Sequence, residues 1–226
     1  MGGLSNWVSG INLDRIVEWL LAGVASLLAI SVHESSHALA ALWLGDDTGK
    51  RLGRISLNPL RHIDPVGLVL MIVARFGWAK PVMVDSRRFK NPKTGMALTA
   101  AAGPVSNVLL AFLGLIVYYV LEFAGKLYTD GAWYYISLFL ELLILINAGL
   151  AVFNLIPIPP LDGSKVLAIL LPDEAHSWLM RYERYGMFLL ILLLMTGALS
   201  NLLSTLRGGL IDVLSYPIVR IAALFI

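Results

Sequence analysis

TGMALTAAAGPVSNVLLAFLGLIVYYVL, residues 94–121, holds 28 positions without one charged side chain. At 1.5 Å of rise per residue a helix of that length covers about 42 Å, more than the roughly 30 Å of hydrocarbon in a bilayer. Working outward, uncharged runs recur from Trp19 to His33, Leu142 to Leu161 and Tyr185 to Leu206. Composition agrees. Of 226 residues 58% are hydrophobic and 14% charged, and the mean hydropathy is +0.78, whereas a soluble domain carries about 25% charged residues. The chain reads as an all-α polytopic membrane protein. High hydrophobicity excludes a disordered chain, the absence of cysteine excludes a disulfide scaffold, and a net charge of +2 argues against nucleic acid as a partner.

Spans are expected at about 16–44, 95–124, 133–156, 186–203 and 210–224, five crossings in a fold of about five to six transmembrane helices. No basic residue precedes Asp14, so the first span is expected to stay rather than to be removed as a signal peptide. The loops 45–94 and 157–185 carry 13 of the 17 basic residues, which places them in the cytoplasm and suits a plasma membrane. The first loop contains two strand-like runs, 53–59 and 78–84, around an apolar segment, 66–76, too short to cross. It is expected to form a small β-hairpin or a re-entrant loop. The whole chain, 1–226, is expected to be one integral membrane domain: a core over 16–171 and additional transmembrane helices over 186–226.

The first span ends in Val32-His33-Glu34-Ser35-Ser36-His37-Ala38. On a helix, residues four apart share a face about 6 Å along the axis, so His33 and His37 can present both imidazoles to one ion. Glu34 sits beside the pair, within reach of a metal-bound water. Counted back from Leu44, the histidines lie roughly 10–16 Å below the cytoplasmic boundary. Ionisable groups at that depth are costly and mark function.

Two imidazoles leave a hydrolytic metal short of its usual three protein ligands. The remaining candidates are His62, Asp64, Glu141, Asp162 and His176. Asp162 is favoured, because it follows the broken helix Phe153-Asn-Leu-Ile-Pro-Ile-Pro-Pro-Leu-Asp-Gly163. Unwound backbone at membrane depth is tolerated only around a buried or wet site, and proline stiffens the approach. Asn107 reads as a bond to an adjacent helix, and Glu141 as a structural acid.

These motifs together resemble the site-2 protease family of intramembrane zinc metalloproteases, which pair an HExxH helix with a later Asn-x-x-Pro and Asp-Gly segment. Here HESSH occupies 33–37, and Asn154, Pro157, Leu161, Asp162 and Gly163 follow about 120 residues later. The likeness extends to Ala102-Gly-Pro-Val-Ser-Asn107 and to Gly77-Trp-Ala-Lys-Pro-Val82, and it covers about two-thirds of the chain. It implies zinc held by His33, His37 and Asp162, Glu34 as catalytic base, and Asn154 near the reacting carbonyl. It also implies a transmembrane protein as substrate, met in the lipid bilayer. Two other readings compete: a transporter or metal-ion carrier, and an inactive scaffold retaining zinc.

Overall fold

The computed structural model describes residues 13–65, 67 and 80–224. In chain order its α-helices are α1 (Leu13–Trp43), α2 (Thr48–Arg51), α3 (Pro92–Phe123), α4 (Ala132–Asn154), α5 (Asp162–Ala168), α6 (Asp173–Met195) and α7 (Ser200–Ala222). Among the described residues, α1, α3, α4 and α7 are long and apolar enough to cross a membrane, and α6 adds a shorter apolar stretch, Tyr185–Met195.

The helices α1, α3 and α4 all pack on one another. Lipid tails are as apolar as leucine, so burying large side chains drives little association there; close approach through small residues does. The burial pattern follows that rule. Ala25, Ala29, Ala38, Ala41, Ala111, Ala148 and Ala151 are fully buried, while Leu98, Val105, Leu109, Leu113, Val117 and Val120 of α3 face outward. At the start of α3, Asn91 accepts a hydrogen bond from the Thr94 backbone N–H at 3.1 Å, and Pro92 opens the first turn.

The end of the chain differs from the expected spans. The break falls at residues 196–199, where Gly197 takes φ +69°, and α7 then runs unbroken through Arg207, Gly208 and Gly209. The Arg-Gly-Gly sequence resembles loop punctuation, but the helix absorbs it: the Arg207 stem lies against Gly149 of α4. The short α5 packs on α3, and Leu190 of α6 joins Ile156, Leu161 and Leu199 in a small apolar core around the proline-rich turn.

Neither strand-like run forms a strand among the described residues. The segment after α2 is tied instead to α1, with the Ser35 hydroxyl donating to the Ser56 carbonyl at 2.6 Å. Of the second run, residues 80–84 carry no regular secondary structure; residues 78–79, like most of the expected re-entrant segment, lie outside the described residues. Asp46, fully buried just beyond α1, anchors the end of this stretch at Asp85. Its carboxylate accepts from the Asp85 N–H at 2.7 Å, the Thr48 N–H at 3.0 Å and the Thr48 hydroxyl at 2.5 Å. Burial pushes this carboxyl up, but the Thr48 and Asp85 hydrogen bonds and the Arg88 charge outweigh it and hold it below the usual aspartate range.

A lowered folded-state pKa stabilises the fold above the unfolded value of about 4 and loses that contribution as pH falls through the folded value. Asp46→Ala is therefore expected to lower stability near neutral pH by roughly 2 kcal/mol. The gap from wild type should narrow as the pH drops below about 4. Thermal unfolding in detergent across that range checks both statements.

Candidate metal centre

The sequence HESSH lies wholly within α1, and its helical spacing turns His33 and His37 toward α3. Each imidazole is fixed by its Nδ1. That of His33 donates to the Asn107 side-chain oxygen at 2.6 Å, and that of His37 to the Thr99 carbonyl at 2.7 Å. With the proton on Nδ1, each Nε2 keeps a bare lone pair.

Both lone pairs face the Asp162 carboxylate. The separations are 3.0 Å between the two Nε2 atoms, 3.2 Å from His33 Nε2 to Asp162 Oδ2, and 3.3 Å from His37 Nε2 to the same oxygen. Three acceptors at such distances repel one another unless a cation lies between them. For ligand bonds of 2.0–2.1 Å, the edge of a zinc tetrahedron is about 3.3 Å. The donor set and its spacing fit zinc, with three protein ligands and a vertex left over. Among the described residues these three side chains are the group of histidine and carboxylate ligands that converges in this way.

Asp162 arrives by the route its prolines suggest. Helix α4 ends at Asn154, the Pro159–Pro160 bond is cis, and Asp162 opens α5. Two glycines permit the approach. A Cβ on Gly163 would stand 2.2 Å from the Leu155 carbonyl oxygen; one on Gly103 would stand 2.5 Å from His37 Cε1 and Nε2 and 2.6 Å from His33 Cε1.

The cluster floors a cleft of about 350 Å³. Glu34, Asn154, Thr99 and Lys165 line it, together with Pro81, Val82 and Val84 of the segment before Asp85. One Asn154 N–H is engaged with the Leu150 carbonyl of its own helix at 3.1 Å. The Thr99 hydroxyl is buried without a hydrogen-bond partner.

Three of the other candidates for third ligand are engaged elsewhere. His62 is buried and bonded to the Ser56 carbonyl at 2.7 Å, Asp64 accepts from the Gly67 N–H at 3.0 Å, and Glu141 accepts from the Tyr128 hydroxyl. The His176 side chain lies outside the described residues. Sequence reasoning missed Thr99, whose contribution is a carbonyl and so leaves no side-chain signal. It saw Asn107 only as a helix contact.

The chain matches the profile described as Peptidase family M50 over residues 22–197. YwhC of Bacillus subtilis, which bears a zinc metalloprotease name, is 37% identical over 177 residues, 76% of this chain and 79% of YwhC. Rip2 of Mycolicibacterium smegmatis, similarly named, is 27% identical over 88% of this chain and 77% of its own length. Rip2 of Mycobacterium tuberculosis is 25% identical over 89% of this chain and 78% of its own length. No solved structure matches the chain.

Gly103→Ala is expected to displace the imidazoles and weaken zinc binding about ten-fold or more. Gly23→Ala, whose Cβ would meet nothing within 4 Å, should bind as wild type does. Competition with a chromophoric chelator measures both, and equal affinity in the two variants would refute the close approach at Gly103.

Proposed function

The chain belongs to peptidase family M50, and on that footing we propose that it is an intramembrane zinc endopeptidase that hydrolyses peptide bonds in or near transmembrane segments of membrane proteins. The observation that carries this reading is the convergence of His33, His37 and Asp162 on one point beside Glu34. Three ligands with an open vertex suit a catalytic site; a structural zinc is normally closed by four.

Zinc held by these side chains supplies Lewis acidity toward a water molecule and the scissile carbonyl. Glu34 takes the proton from that water as its oxygen attacks the carbonyl carbon. Glu34 then delivers the proton to the nitrogen as the C–N bond breaks. Asn154 retains a second side-chain N–H with which to meet the carbonyl oxygen as it gains charge. A helical substrate has its carbonyls occupied, so local unwinding precedes hydrolysis. Pro81, Val82 and Val84, which line the cleft outside any helix, offer backbone along which an unwound segment can lie as an added strand. The distribution of basic residues supports a cytoplasmic position for this end of the bundle in a plasma membrane.

Glu34→Gln is expected to bind zinc as wild type does while cleavage of a membrane-peptide substrate falls about 10²–10⁴-fold. Asp162→Ala should lose zinc affinity. Parallel zinc determination and a cleavage assay on reconstituted protein test both, and full activity in Glu34→Gln would end the assignment.

A further inference from the structure

The tautomer of His33 depends on a side chain that could face either way. Asn107 presents its oxygen to His33 Nδ1 at 2.6 Å. Rotated by half a turn, the same amide would present an N–H, select the tautomer with its proton on Nε2, and aim that proton at His37 and Asp162. His37 has no such ambiguity, since its partner is the Thr99 carbonyl, which only accepts.

What orients Asn107 is visible in its other bonds. Its Nδ2 donates to the Ala29 carbonyl at 3.2 Å and to the Asn147 side-chain oxygen at 2.7 Å. Ala29 is one turn before His33 on α1, and its carbonyl can only accept. Asn147 is oriented in turn, because its own Nδ2 donates to the Leu143 carbonyl at 2.8 Å. Asn107 and Asn147 are both fully buried. The direction of every bond is thus set by two backbone carbonyls, one on α1 and one on α4, and it leads by way of α3 to a bare His33 Nε2. Reversing either amide would place oxygen against oxygen where no water competes.

We infer that Asn107 and Asn147 are positioning residues, a directed hydrogen-bond relay that holds His33 in the only tautomer able to ligate the metal. This rests on the reading of His33, His37 and Asp162 as a zinc site. It goes beyond that reading in giving a role to Asn147, a neutral residue on a third helix that touches neither metal nor cleft.

The test is zinc affinity, measured by chelator competition on the full chain in detergent, with melting temperature as a check on folding. Asn107→Ala is expected to weaken zinc binding about 10–100-fold. Asn147→Leu should weaken it at least about three-fold, and the double variant should be no weaker than Asn107→Ala alone, since the second residue acts through the first. Asn147→Asp, kept protonated by full burial, would donate its O–H to the Leu143 carbonyl while keeping an oxygen toward Asn107, and is expected to stay within about two-fold of wild type. Visible absorption of the cobalt-substituted protein should shift in Asn147→Leu and not in Asn147→Asp, a distinction that loss of helix packing would not produce. If Asn107→Ala does not fold, the two Asn147 variants carry the comparison. Unchanged affinity in Asn147→Leu, equal losses in Asn147→Leu and Asn147→Asp, or additive losses in the double variant would each overturn the relay. The two proposals fail separately. Wild type that holds zinc through this relay yet cuts no membrane peptide removes the peptidase reading alone, and an active enzyme whose zinc affinity ignores both asparagines removes the relay alone.

Discussion

Three electron pairs, on His33 Nε2, His37 Nε2 and Asp162 Oδ2, are held within 3.3 Å of one another, and the rest of the structure serves to keep them there. Such an arrangement is costly in a low-dielectric interior unless a cation offsets the repulsion. Each group therefore has to be held by other bonds. The imidazoles are held from behind by Asn107 and Thr99, and the carboxylate by a proline-braced turn whose apolar side chains pack on α6. Metal ligands of this kind depend on their outer hydrogen bonds for both direction and basicity.

Membrane packing makes this possible through small side chains. Where α1 meets α3, alanines are fully buried, and Gly103 leaves room for both imidazole rings against the helix. Large side chains at those positions would separate the backbones and draw the histidines away from Asn107 and Thr99. Apart from the two site histidines, the buried polar residues described within the spanning helices are neutral amides and hydroxyls, and the buried charges Asp46 and Arg54 lie beyond the end of α1. Asn107 and Asn147 satisfy each other across helices, and Ser31 donates to the Leu27 carbonyl of its own helix. Hydrocarbon offers no water to such groups, so these find their partners within the bundle, whereas the buried Thr99 hydroxyl borders the cleft.

The converging cluster was readable because its side chains are conspicuous where they occur. Two histidines and a glutamate in an apolar helix have few structural explanations, and Asp162 follows prolines that end α4. Membrane spans followed from hydropathy for α1, α3 and α4. For the last two it placed the break too late, between 203 and 210, because the actual break at 196–199 carries little more signal than Gly197. Asn147 was unreadable for a different reason. A single neutral amide in an apolar run adds little to charge or hydropathy, and its importance lies in which way the amide faces, a property of three packed helices and of no one segment.

The ligands also divide unequally between parts of the fold. His33 and His37 belong to a continuous helix packed on α3 and α4, whereas Asp162 stands at the first position of a seven-residue helix after a turn. A cation binding all three ties that turn to the bundle across 129 residues of chain. Metal binding in such a site is also folding energy, because the unfolded chain offers no preformed cluster. The bundle can keep its shape through helix packing alone, but the distance from Asp162 to the imidazoles is the part of the geometry most dependent on the ion. Glu34, on the rigid helix and also at the cleft, keeps its position relative to the histidines however the turn moves. Closing the cluster thus falls to the turn that carries Asp162, whereas the placing of Glu34 falls to α1, so the two are separable.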